Sequence, residues 1–146
     1  MVRTHLEPEP LATDRPHPAS LDEVELMAQC QVSRTRRSGP GGQHRNKVET
    51  AVVIEHRPTG VRGEASEERS QACNKTMAIK RLRLNLALKV RTDSTNAPGE
   101  LWKSRSRGGR IQVGEKHADF PALVAEAFDV LTDAEFDHKV LSLIHI

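Results

Sequence analysis

VETAVVIEHRPTGVRGEAS, residues 48–66, decides the frame of this chain. Residues 48–56 are dense in β-branched side chains, whose stiff χ1 favours extended backbone. RPTG at 57–60 has the fixed φ of proline and the free backbone of glycine that a tight turn requires. Residues 61–66 then resume as a strand, so the stretch predicts an antiparallel hairpin. Upstream, CQVSRTR at 30–36 alternates small apolar and polar residues and predicts a further short strand. Downstream, residues 67–90 contain neither Gly nor Pro. Met77, Ala78, Leu82, Leu86 and Val90 recur there at helical spacing, with Ile79 beside them, which predicts a helix of roughly six turns. The fold class is therefore α+β: a small, mostly antiparallel sheet packed against one long helix.

The flanks are less regular. Four prolines in residues 1–20 predict a disordered or extended leader. Ser20 with Glu23 has the form of a capping box opening a short helix that ends near Ala28. TDSTNAPGE at 92–100 breaks the long helix, RIQV at 110–113 reads as a short strand, and residues 118–131 read as an amphipathic helix starting near Pro121. A second helical piece follows Thr132. The expected division is a leader over 1–20, a domain over 21–113 and a helical, acidic extension over 114–146. With 36% apolar residues and 3% aromatic ones, the core must be small and aliphatic. No run approaches the ~20 apolar residues of a membrane span. The start is too acidic and proline-rich for a targeting presequence, so the cytoplasm is the simplest location. Cys30 and Cys73 form no CxxC pair; both are expected reduced and structural, with no metal and no cofactor implied.

Charge is partitioned along the chain. Residues 31–111 hold 18 basic and seven acidic side chains, against two basic and six acidic in 1–30 and two basic and seven acidic in 112–146. A basic centre between acidic ends points to a polyanion, nucleic acid above all; the alternative is a merely solvated charged face. Lys75, Lys80, Arg81, Arg83, Lys89 and Arg91 lie on the long helix with no acidic residue between Arg69 and Arg91. That one-signed surface favours RNA. Lys103, Arg105 and Arg107 extend the basic set beyond the helix.

Between the first two strands lies RSGPGGQHRNKVET, residues 37–50. Its glycines permit a sharply bent backbone that approaches a partner closely. Neither the Walker spacing nor the dinucleotide GxGxxG is present. Gln43 does not titrate, so it cannot be a general base; its amide can position water, and the adjacent backbone N–H can stabilise an oxyanion. His44 sits among cations that disfavour its charged form. The chemistry is one of placement, suited to a reaction whose other parts belong to a bound partner.

RSGPGGQHRNKVETAV, then PTGV, then ERSQACNKTMAIKRL, resembles the GGQ catalytic domain of class I peptide-chain release factors. The resemblance runs from about residue 33 to residue 88. It implies that a mobile loop bearing Gly41, Gly42 and Gln43 enters the peptidyl-transferase centre and promotes hydrolysis of the peptidyl-tRNA ester. It further implies that the Gln43 amide stabilises the transition state or leaving group, that the Gln43 side chain admits water, and that Gln43 is a candidate for N-methylation. Arg37, Arg45, Lys47, Arg69 and Lys75 would hold rRNA phosphates. The implied partners are the large ribosomal subunit and peptidyl-tRNA, with the protein a monomer and no membrane involved. Two local alternatives stay open. Asn46 and Glu49 can simply fix the loop base, and Arg69, Ser70, Gln71 and Asn74 can cap or brace the helix instead of touching RNA.

A decoding release factor carries further domains and a stop-codon tripeptide, and only about 32 residues precede the GGQ domain in this sequence. The expectation is a codon-independent rescue factor. Short rescue factors often end in a basic tail; this sequence ends in acidic and then apolar residues, so a protein partner for the acidic extension, or simple packing on the domain, is the alternative use. The competing reading of the whole chain is a non-catalytic ribosome- or RNA-binding protein that kept the fold.

Overall fold

The computed structural model describes residues 11–35, 50–93 and 97–135. The elements run β1 (Leu11–Ala12), a 3-10 turn (Pro18–Ser20), α1 (Glu23–Ala28), β2 (Cys30–Thr35), β3 (Ala51–His56), β4 (Arg62–Ala65), α2 (Gln71–Lys89), β5 (Val90–Arg91), α3 (Glu100–Arg105), β6 (Ser106–Arg107), β7 (Arg110–Ile111) and α4 (Phe120–Asp133). The central sheet is antiparallel in the order β2-β3-β4. The long helix α2 lies across β3 and β4, as an α+β domain requires.

Register explains which residues make the core. Cys30 pairs with His56, Val32 with Ile54 and Arg34 with Val52 across β2 and β3, and Val52 pairs with Ala65 and Ile54 with Gly63 across β3 and β4. Because side chains alternate, these residues share the face under α2. Val52, Ile54, Ala65, Ala78, Ile79, Leu82 and Leu86 are buried together there. The opposite face carries Glu55 and Arg62, a cross-strand ion pair, and faces solvent. Gly63 is where helix and sheet touch: a Cβ at that position would stand 2.3 Å from the Ala78 carbonyl oxygen and 2.4 Å from the Leu82 nitrogen. The turn over RPTG forms as its residues predict, with Gly60 at φ +71° and its N–H donating to the His56 carbonyl at 2.7 Å.

Two boundaries differ from the sequence reading. Ser20 does not cap α1: its hydroxyl donates to the His17 carbonyl, and Asp22 is the N-cap, accepting from the Glu25 N–H at 2.8 Å. The long helix begins at Gln71, because Ser70 accepts from the Cys73 N–H and forms the cap. Cys73 is exposed in that first turn, while Cys30 is buried.

Residues 11–20, within the expected leader, pack on the body. β1 runs parallel to β5, and His17, Pro18 and Ala19 are buried. His17 is the anchor. Its Nδ1 accepts from the Ala19 N–H at 3.0 Å, so its Nε2–H donates to the Val90 carbonyl at 2.9 Å, and the ring is neutral. His56 is set the same way: Nδ1 takes the Thr59 hydroxyl at 2.8 Å and Nε2 reaches Gln29 Oε1 at 2.9 Å. Burial, above all, pushes both imidazoles below their ordinary value. For both histidines the unfolded chain then binds more protons than the folded one as pH falls below the unfolded value near ~6.5. The stability they contribute is full above that pH and is lost as pH drops towards the folded values. The melting temperature at pH 5.5 should be lower than at pH 7.5, and His17→Gln should flatten that slope. An equal slope in the variant would remove His17 from the account.

The region after α2 is tied down by polar contacts. Arg91 closes the helix: its guanidinium donates to the carbonyls of Ala87 and Val90 at 3.0 and 2.8 Å and of Leu88 at 2.9 Å, and it stacks over Phe128 at 4.7 Å. Buried Asp129 accepts from the Thr92 N–H at 2.9 Å and the Thr92 hydroxyl at 2.6 Å. Glu126 accepts from the Gly99 N–H at 2.6 Å at the start of α3. Of the acidic extension, then, residues 120–133 form a helix packed against α2, and part of its acid content is spent on internal hydrogen bonds. The helical piece expected after Thr132 lies mostly outside the described residues.

Candidate functional site

Gly41, Gly42 and Gln43 lie outside the described residues, as do Arg37, Arg45, Lys47 and the loop-base pair Asn46 and Glu49. The frame that carries them is described. Thr35, the last residue of β2, sits opposite Ala51, the first of β3. The segment 36–49 thus leaves and rejoins the sheet at one point. Its return is fixed by Asn74 in the first turns of α2, which is fully buried. The Asn74 amide donates to the Thr50 carbonyl at 2.7 Å and the Glu68 carbonyl at 2.9 Å, and accepts from the Glu68 N–H at 3.0 Å. Of the two roles open for it, Asn74 braces. Ser70 caps, as described.

Replacing Asn74 with Ala removes all three bonds, one to the half-buried Thr50 carbonyl and two to the backbone of exposed Glu68. Water reaches the Glu68 groups, so the loss rests mainly on Thr50 and should be about 1–3 kcal/mol in urea unfolding. A loss under ~0.5 kcal/mol would mean that water satisfies these groups and the brace is dispensable.

The basic residues divide into two groups. Arg69, Lys75, Lys80 and Arg107 are exposed, with no ion-pair partner among the described residues. Arg81, Arg83, Lys103 and Arg105 are engaged. Arg81 pairs with Glu67 at 2.6 Å and donates to the Glu64 carbonyl at 2.8 Å. The Arg81 hydrogen bond to Glu67, with backbone N–H groups, holds the Glu67 carboxyl down at about 2. Arg83 donates to the carbonyls of Ala19 and Leu21 and holds the N-terminal segment on α2. Lys103 pairs with Glu100 at 3.0 Å, and Arg105 grips Asp119 through Nε and Nη2 at 2.9 and 2.6 Å.

Arg34 was not among the residues singled out from sequence. It shares the α2 face of the sheet with Cys30 and Val32, yet α2 packs on β3 and β4, β2 is the edge strand, and Arg34 is exposed. With Val32, Val52, Ala72 and Lys75 it lines a shallow groove of about 340 Å³ close to the point where segment 36–49 begins. A signal for it lies in the sequence: a cation at an apolar-parity position of CQVSRTR fits an edge strand that the helix does not cover. No group of three or more potential metal ligands occurs among the described residues. No described helix is long and apolar enough to cross a membrane.

Comparison with known proteins places this arrangement. Residues 22–119 match the RF-1 domain, from the cap of α1 to the residue that precedes α4. The chain is 58% identical over 55 residues to the chloroplast peptide chain release factor PrfB1 of Arabidopsis thaliana, covering 38% of this chain and 12% of the relative. It is 37% identical over 101 residues to the mitochondrial peptide chain release factor 1-like protein of Rattus norvegicus, covering 69% of this chain and 25% of the relative. It is 44% identical over 94 residues to peptide chain release factor 1 of Xylella fastidiosa, covering 64% of this chain and 26% of the relative. The chain therefore spans about a quarter or less of the length of these curated relatives.

Proposed function

This chain belongs to the class I peptide-chain release factor family, through its RF-1 domain, and from that premise we propose that it hydrolyses the peptidyl-tRNA ester on the ribosome. The observation that carries the reading is the joint placement of two motifs. GPGGQH lies in the connection from β2 to β3, and RSQACNK opens α2, whose Asn74 holds the returning end of that connection. Gly41 and Gly42 let the loop backbone fit among the RNA and the tRNA end. The Gln43 backbone N–H meets the developing negative charge, and its side chain places water and rejects larger nucleophiles. Gln43 carries no proton-transfer role; the rate comes from position and preorganised dipoles. Gln43 is the candidate position for N-methylation, which the amide nitrogen allows. Arg37, Arg45 and Lys47 within the loop segment, Arg69 just before α2, and Lys75 and Lys80 on it, would contact rRNA phosphates.

We extend the reading to release without stop-codon recognition, in the cytoplasm, by a monomer acting on stalled ribosomes or split large subunits. Its support is the chemistry of the free cations, which bind phosphates and so position the domain without reading a base sequence. The test is release of labelled peptide from purified peptidyl-tRNA complexes, comparing ribosomes stalled at an mRNA end, ribosomes at a stop codon and isolated large subunits. Equal release with and without a stop codon supports the codon-independent reading; release only at a stop codon sinks it. Release from large subunits alone would assign the protein to rescue after subunit splitting.

A further inference from the structure

Beyond the GGQ segment and α2, a short hairpin carries a charge arrangement that the fold does not need. β6 and β7 pair antiparallel, with Ser106 opposite Ile111 and Arg107 opposite Arg110. The two-residue connection is Gly108-Gly109, at φ +57° and +72°. Positive φ at both positions is the geometry that closes a two-residue hairpin, and glycine adopts it without strain. The turn therefore sets Arg107 and Arg110 directly opposite each other on the last rung. Like charges directly opposite each other on neighbouring strands are destabilising.

The hairpin forms despite this because it is held at its base. Arg105 grips Asp119 through two nitrogens, and the Gln112 N–H donates to the Arg105 carbonyl at 3.1 Å. The tip itself is free. A Cβ added at Gly108 or Gly109 would meet nothing within 4 Å, and Arg107 and Arg110 are both exposed without an ion-pair partner among the described residues.

From this geometry we infer that Arg107 and Arg110 form a two-arginine clamp for a single phosphate of an RNA backbone, with Arg105 as its positioning residue and not a ligand. A phosphodiester placed between the side chains converts their repulsion into charge-assisted hydrogen bonds, one guanidinium to each non-bridging oxygen. The exposed tip lets a bulky polymer approach from either side. RNA is favoured over an acidic protein surface because the unpartnered cations of α2, Lys75 and Lys80, are of the same sign on a separate element. A phosphate polymer can satisfy several such sites at once. The inference rests on the reading of an RNA-bearing partner, but it concerns a site outside the GGQ segment and can fail separately.

The experiment measures binding of the full chain to protein-free large-subunit rRNA and to intact large subunits, over stepped salt concentrations, for the wild type, R107Q, R110Q and the double variant. Peptide release by the wild type is measured in parallel. A clamp predicts that each single variant weakens rRNA binding several-fold. It also predicts that the double variant adds little to either single variant, because both arginines serve one phosphate. The salt slope should fall by about 1 in each. Melting temperatures of the variants should equal or exceed that of the wild type, since a like-charge contact is removed. Losses that multiply in the double variant would overturn the clamp in favour of two independent contacts. An unchanged slope on rRNA with weakened binding to intact subunits would overturn it in favour of an acidic protein partner. No change on either would reduce the pair to solvated side chains, and a lowered melting temperature would make it structural. Release by the wild type with no effect of the variants leaves the hydrolase reading standing without the clamp; altered rRNA binding with no release leaves the clamp without the hydrolase.

Discussion

Gly42→Ala is expected to lower ribosome-dependent peptide release by about 100-fold or more while the protein still binds the ribosome. The added Cβ closes regions of φ/ψ that glycine alone visits freely and thickens the backbone at the point proposed to enter the reaction centre. A misplacement of about 1 Å there suffices for a loss of that size, because the proposed catalysis is by position. The exposed cations of α2 are untouched by the change, so binding persists. Single-turnover release at saturating protein, with co-sedimentation as the binding control, separates the two effects. Equal release by the two proteins would sink the catalytic reading and favour a binding protein that retained the fold.

Gly63→Ala is expected to destabilise the domain by about 3 kcal/mol or more, the top of the range for overpacked cores. The new methyl would have to occupy space 2.3 Å from the Ala78 carbonyl oxygen, 2.4 Å from the Leu82 nitrogen and 2.8 Å from the Leu82 Cα. All three are backbone atoms of α2, so no side-chain rotation relieves the contact. The helix must lift off β4, opening the core around Ile54, Ala78 and Leu82. The fall in melting temperature should be on the order of 10 °C. Release should also suffer, since α2 carries Asn74 and with it the tie to Thr50. A loss below ~1 kcal/mol would show that α2 slides over the sheet at little cost and that the close approach is incidental.

Both predictions concern glycine, yet they were legible to different degrees. Gly41, Gly42 and Gln43 stand out from sequence because GPGGQH is a dense local motif. Gly63 lies in an ordinary strand, and nothing in VRGEA tells that a helix backbone crosses directly above it. The same holds for the cations. Lys75 and Lys80 are exposed as the one-signed helix face predicts. Arg81, Arg83 and Arg105 belong to the same composition signal, but each found an oxygen partner brought near by folding. The exposure of Arg34 depends on which strands α2 covers, and it covers β3 and β4 rather than β2.

What the chain's order of residues determines by itself is whatever depends on short spacing. That includes the β3–β4 hairpin, from its β-branched runs and RPTG turn, and the helix over Gln71–Lys89, from its apolar period. It also includes the family, from motifs a few residues long. Only the tertiary structure decided the rest: that residues 11–20 are tied to the body by His17 at the Val90 carbonyl, that Asp22 and not Ser20 caps α1, and that Arg91 closes the long helix over Phe128. Likewise, only the fold shows that Arg107 and Arg110 face each other while Arg105 is held by Asp119. These outcomes turn on which polar group finds a partner within hydrogen-bonding distance. Partners that lie up to 78 positions apart along the chain, as Arg15 and the Asp93 carbonyl do, are brought together by packing and leave no local pattern to read.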